Sequence, residues 1–321
     1  MHRILIDTDP GVDDALAILL AMKSPELQVE AITTVSGNVH VEQATQNLLT
    51  ILSLLELTEY PIVAKGEAQP LVKPLVMAEH VHGEDGLGNI SKLRNPDGSP
   101  RYPLANCEIS TISGVDLILE TVDRFPDELV VVALGPLTNI SRAIQKDAEC
   151  MQRLRSIVLM GGVFSEYGNV TTTAEFNVFV DPHAAHEVFN SGMPVHIAPL
   201  DVTHQVRLTS ERLDAEIEGR SDKISCFLKE STQPCMEFYR EHVGFYGLHI
   251  HDALPIGMLT HPGFFESVEA YVQVETEGNL TSGMTVADLR RDRHNSVPNA
   301  SVCIKVDADA FLDHFFERVL S

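Results

Sequence analysis

The chain has 321 residues, 44% apolar and 21% charged, a composition that buries a sizeable core without disulfide or metal staples and excludes a disordered polypeptide. Its 46 acidic side chains outnumber the 23 Lys and Arg, and the formal net charge of -23 excludes nucleic acid and anionic membrane surfaces as partners, because a field of that sign repels polyanions. Five cysteines with no CxxC pair exclude a disulfide framework or a zinc knuckle, and with no signal-like or membrane-length apolar run the expected compartment is the cytoplasm.

Short β-branched runs alternate with longer amphipathic stretches. In chain order the pattern predicts a strand over residues 3–6, a helix over 10–22, a strand over 29–34, a helix over 41–55 and a strand over 61–64. A helix over 114–124 follows, then strand 129–134, helix 136–145, strand 156–160, helix 182–190 and strand 194–198. The remainder reads as helices 210–218, 222–240 and 252–259, strands 269–275 and 301–306, and a last helix over 308–320. Several strands are nearly continuous in Val, Ile and Leu, as when helices cover both faces of a parallel sheet. Asp181-Pro182 supplies an N-cap followed by proline at the first helical position. The expectation is one α/β domain over residues 1–321: an open, mostly parallel twisted sheet flanked by helices. A helical appendage (210–246) lies over its active-site edge, and the last strands are antiparallel or mixed. Segments 76–88 and 241–251, rich in Gly and His, are expected to be mobile loops.

Asp7, Asp9, Asp13 and Asp14 crowd into eight residues between the first strand and the first helix. That position is the carboxyl edge of a strand, where open α/β sheets bind ligands. One aspartate there serves as a helix cap. Four do not, since two like charges ~5 Å apart repel by about 3 kcal/mol at an effective dielectric of ~20, and a cation is needed to offset this. Carboxylate oxygens without Cys or His select Ca²⁺ or Mg²⁺. An EF-hand is excluded, because its bidentate Glu would fall on Ile18.

The run Asp7–Ala15 (DTDPGVDDA) resembles the signature of the inosine–uridine type of nucleoside hydrolase. AITTVSGN at 31–38, HGEDGLG at 82–88, LGPLTN at 134–139, AEFN at 174–177 and His251-Asp252 follow in that family's order, so the resemblance spans nearly the whole chain. It implies an enzyme that cleaves the N-glycosidic bond of free ribonucleosides, with Ca²⁺ held by Asp9, Asp14, Asp252 and the Leu134 carbonyl. By the same resemblance Asp9 is the general base for a calcium-bound water that Asn38 orients, and Asp13 accepts from the ribose 2′-hydroxyl. Asn169, Glu175 and Asn177 read the sugar; in an extended segment the last two share a face.

Departure of the base needs a proton or a hydrogen bond. His251 adjoins the ligand Asp252, and an ordinary histidine pKa of ~6.5 suits a general acid. His82, on the glycine-rich loop, is a second candidate, and Tyr239 is a hydroxyl donor from the appendage. The chain has no Trp; purine-restricted members of the family stack the base on tryptophans, so the expectation is a base-nonspecific or pyrimidine-preferring enzyme of nucleoside catabolism and of purine and pyrimidine salvage. The family further implies a homodimer or homotetramer. Two alternatives stand beside this reading: a catalytically silent nucleoside-binding protein, and a haloacid-dehalogenase-type phosphatase with Asp7 as nucleophile.

Overall fold

The computed structural model describes residues 1–288 and 297–321. The first strands are β1 (His2–Thr8), β2 (Leu27–Thr34), β3 (Ile62–Lys65), β4 (Leu129–Ala133), β5 (Ser156–Met160) and β6 (Val195–Ala198). After them come β7 (Arg207–Thr209), β8 (Gly247–His249), β9 (Phe265–Ala270), β10 (Val272–Val274), β11 (Thr285–Ala287) and β12 (Ala300–Val306). Eight form one sheet in the order β3-β2-β1-β4-β5-β6-β12-β9. Every pairing in it is parallel except that of β9 with β12.

Alternation along each strand divides the core in two. Ile4, Ile6, Val130 and Val132 point to one face, with the helices Val12–Lys23, Lys223–His242, Ala253–Thr260 and Ala308–Val319. Leu5, Val131, Ala133, Ile157 and Leu159 point to the other, with Gly114–Arg124, Thr138–Lys146 and Pro182–Phe189. Strand order reverses at β1, whose neighbours are β2 and β4, and Asp7 sits level with Thr33 and Ala133. A reversal of this kind opens a crevice beyond the carboxyl ends of the strands, and this crevice holds the acidic residues.

The helix Val12–Lys23 is buried over its first ten residues, Val12 to Ala21. Its apolar composition all round suits that placement. Asp181 caps Pro182–Phe189 as expected, accepting from the Ala184 N–H at 3.0 Å.

Three expectations need correction. The strand predicted over 269–275 is two strands: Asn299 accepts from the Val272 N–H at 2.7 Å and donates to its carbonyl at 2.9 Å, which takes Val272 out of the main ladder and lets β10 pair with β11. The segment 76–88 is hydrogen-bonded structure: it holds the short helix Glu79–His82, and the Asp85 carboxylate accepts from the Leu87, Asn89 and Ser91 N–H groups, each at 2.8 Å. The appendage carries the helices Ser210–Glu216 and Lys223–His242, and it is framed by β7 paired with β8, which the loop expected over 241–251 did not foresee. Among the described residues no helix is long and apolar enough to cross a membrane.

Candidate active site

A cavity of about 360 Å³ opens where β1 and β4 end, beneath the appendage. Its lining includes Asp13, Asn38, His82, Leu134, Asn169, Glu175, Asn177, Tyr239, His251 and Asp252, so the structure brings together ten sequence-predicted residues. The other two, Asp9 and Asp14, lie wholly buried below its floor.

The floor is built from the turn between β1 and the first helix. Asp14 accepts from Thr8 Oγ1 at 2.5 Å, the Gly11 N–H at 2.9 Å and Asn38 Nδ2 at 3.1 Å, and the Asn38 N–H donates to Asp9 Oδ2 at 2.6 Å. One carboxylate oxygen from each of Asp13, Asp14 and Asp252 falls within 4.8 Å of the others. Asp9 stands beside this trio rather than in it, and its carboxyl is pushed well up, first by burial and then by the charge of Asp14. Burial raises Asp14 and Asp252 too, with like charge from Asp13 adding to both, and raises Asp13 to about 6.

Asp9 Oδ1 and Asp13 Oδ1 are buried with no hydrogen-bond partner. Gly135 leaves room for the first, since a Cβ there would lie 2.5 Å from it. Buried carboxylate oxygens without partners are costly unless something positive meets them. An all-oxygen donor set with spare lone pairs fits a hard divalent cation. The Leu134 carbonyl accepts from Asn177 Nδ2 at 2.7 Å, which uses one of its two lone pairs.

Glu175 and Asn177 do not lie on an extended segment. Glu175 is the N-cap of the helix Phe176–Val180: Oε1 accepts from the Asn177 N–H at 2.7 Å, and Oε2 from the Gly162 and Val178 N–H groups at 2.9 and 3.1 Å. Burial holds its carboxyl near 7 despite these bonds. Asn177 Nδ2 also reaches the Met160 carbonyl at 3.2 Å, tying together the ends of β4 and β5, and Asn169 Oδ1 accepts from the Phe176 N–H at 2.9 Å.

The histidines are not ordinary acids. Burial, then the neighbouring His249, His204 and His82, pushes His251 well below the usual range, so the ring is neutral. Its Nδ1 lies 2.7 Å from Thr203 Oγ1, and its Nε2 lies 3.4 Å from the Tyr239 hydroxyl. Burial lowers His82 to about 4. His82 Nδ1 accepts from the Val12 N–H at 3.1 Å, which leaves Nε2 as the protonated, donating nitrogen. The 3.8 Å approach of His82 to Asp13 is therefore not an ion pair at neutral pH.

Sequence reasoning missed His80, Cys235, Phe238 and His249 in the lining. Signals existed for two of them. His249 is two residues before His251, and Cys235 lies four before Tyr239 on one helix. Asp7 is fully buried and does not line the cavity, and its Oδ1 is held by Thr33 Oγ1 at 2.5 Å and Asn139 Nδ2 at 2.7 Å, which argues against the nucleophile that the phosphatase alternative requires.

A family model described as inosine-uridine preferring nucleoside hydrolase matches residues 4–313. Pyrimidine-specific ribonucleoside hydrolases RihA of Citrobacter koseri and Escherichia coli K12 are 39% identical over 317 residues, covering 98% of this chain and 97% of theirs. A plant nucleoside hydrolase superposes with a TM-score of 0.90 at 31% identity, covering 99% of this chain and 98% of that one. A purine-preferring ribonucleoside hydrolase from Gardnerella vaginalis gives 0.88 at 33% identity, with the same coverage. The chain thus belongs to the inosine-uridine preferring nucleoside hydrolase family, and its activity is that of a nucleoside N-ribohydrolase.

Proposed function

We propose that residues 1–321 form one domain that hydrolyses free ribonucleosides to ribose and nucleobase, with no base specificity or a preference for pyrimidines, and that its metal is Ca²⁺ held by Asp9, Asp14, Asp252 and the Leu134 carbonyl. The observation that carries this reading is the trio of Asp13, Asp14 and Asp252 carboxylates within 4.8 Å, with unpartnered oxygens on Asp13 and on the neighbouring Asp9, at the floor of a cavity whose far side is aromatic. When bound, the cation would neutralise the carboxylates and acidify water in its vicinity.

Asp9 has one oxygen fixed by the Asn38 N–H and the other without a protein partner, which suits a general base that takes a proton from water. The Asn38 side chain, anchored on Asp14, would orient that water. Asp13 would accept from the ribose 2′-hydroxyl, a contact that strengthens as the ring becomes oxocarbenium-like. Asn169, Glu175 and Asn177 would form the sugar-side wall. His251, held between Thr203 and the Tyr239 hydroxyl, would assist departure of the base by hydrogen bonding on that side, and His82 Nε2–H would donate to it.

The missing tryptophans and the pyrimidine-specific relatives at 39% identity support the pyrimidine side; the purine-preferring structure at 33% identity weighs against exclusivity. A cytoplasmic homodimer or homotetramer acting in salvage completes the proposal, and the five free cysteines agree with a reducing compartment. The test is base release from inosine, adenosine, guanosine, uridine and cytidine, each with and without chelator. Uridine and cytidine should be cleaved at least as fast as the purines, and chelation should abolish all release. Undiminished activity in chelator, or no release from any of the five, would overturn it.

A further inference from the structure

His249 lies on β8, two residues before His251, and lines the same cavity. It is 5% exposed, and its Nδ1 is buried with no hydrogen-bond partner. The rings around it are those of His204, Phe245, His251 and Tyr239, with centroids 5.0, 5.1, 5.4 and 5.5 Å away. These contacts pack the ring without satisfying that nitrogen.

Burial, with the nearby His204 and Arg207, drives His249 down to about 3, so the imidazole is neutral. A neutral imidazole has one donor and one acceptor. The Val206 carbonyl favours an N–H on the ring. In the tautomer with its N–H on Nε2, the unpartnered Nδ1 carries the lone pair. A buried acceptor with nothing to accept from is costly to leave unpaired, and in a ligand cavity the ligand is the natural partner.

We propose that His249 is a specificity-determining residue: its Nδ1 accepts a hydrogen bond from an N–H on the edge of the nucleobase. This rests on the proposed assignment of the cavity to a nucleoside. The ligand class is narrowed to bases that present a ring N–H or an exocyclic amine at that point, such as uracil, cytosine or hypoxanthine. A base whose edge is blocked by a methyl group leaves Nδ1 unpaired and brings a methyl against it. Sites built around such a bond discriminate strongly against analogues that lack it.

The experiment compares kcat/KM for uridine and 3-methyluridine in the full-length, calcium-supplemented protein and in His249→Phe and His249→Asn. The wild type should disfavour the methylated substrate by about tenfold or more. His249→Phe, which keeps the ring packing but removes the acceptor, should lose activity on uridine and bring the ratio close to one. His249→Asn, which keeps an acceptor, should retain part of the ratio. A wild-type enzyme that cleaves both substrates equally, or a His249→Phe variant that keeps the wild-type ratio, overturns the role of His249 while leaving the hydrolase reading intact. A wild type that releases no base from uridine overturns the cavity assignment and this inference with it.

Discussion

Stripping divalent cations and then restoring calcium should change stability in a way that depends on pH with a definite sign. Three carboxylate oxygens sit within 4.8 Å of one another. At an effective dielectric of ~20 each ionised pair costs about 3 kcal/mol, so all three pairs together approach the ~5–15 kcal/mol by which a whole domain is stable. The metal-free protein therefore keeps protons on the cluster. For Asp13, held near 6 in the fold against an ordinary 3.8, the folded state binds protons more tightly than the unfolded chain across that interval. Its contribution is present below pH ~4 and lost as pH rises through ~6, a change of roughly 3 kcal/mol.

Under the proposed reading calcium would replace those protons, so its effect should have the opposite pH dependence. At a hundredfold excess over Kd it should add about 2.7 kcal/mol, which at ~2.1 cal/mol/K per residue over this length amounts to a rise in Tm of roughly 4 °C. The assay is differential scanning calorimetry of metal-stripped protein between pH ~5 and ~8, with and without excess calcium. Titration calorimetry in two buffers of different ionisation enthalpy would count the protons released. The metal-free Tm should fall between pH ~5 and ~7, and the calcium increment should grow over the same range. An increment under about 1 °C at pH ~7.5, or one larger at pH ~5, would refute the reasoning.

Asp9→Asn should lower turnover by roughly 10²–10⁴ while raising the Tm of the metal-free protein, because one repelling charge is gone; a loss below about tenfold would count against Asp9 as base. Gly88 has φ +70°, and a Cβ there would lie 2.1 Å from the Ser231 carbonyl oxygen. Gly88→Ala should therefore cost about 1–3 kcal/mol in urea denaturation and depress activity through His82, whose carbonyl accepts from the Gly88 N–H at 2.7 Å; unchanged stability would contradict this packing. Glu175→Ala orphans three backbone N–H groups and should cost about 1–3 kcal/mol, with Glu175→Gln intermediate, read by the same denaturation. Uridine 5′-monophosphate should be cleaved far less efficiently than uridine, since a phosphate meets a field of carboxylates; equal kcat/KM would argue against that field.

The acidic turn was legible because its chemistry is local: four aspartates in eight residues cannot coexist after a strand without a function, and the apolar run behind them marks the helix that carries two of them. The parallel strands were legible for the same reason, as unbroken Val, Ile and Leu. What escaped was set by distant partners. Nothing near Val272 announces that Asn299 will pull it from the sheet, and nothing in AEFN shows that Glu175 will turn inward to cap a single turn of helix. The histidines were found as residue types, but the lowering of their pKa was not foreseen. Their neutrality comes first from burial, to which His249 and His204 add at His251 and His80 at His82, and only the assembled fold supplies it.

The helix Val12–Lys23 has no free side for its first ten residues. Asp13 and Asp14 thus stand on a rod whose backbone is fixed by the core, and their backbone positions cannot drift apart to relieve their mutual repulsion. Loops that hold cations commonly swell or tighten to suit the ion; here the spacing is dictated by the hydrophobic interior. An ion of the wrong radius would have to be refused rather than accommodated, and selectivity among hard cations becomes a property of the core.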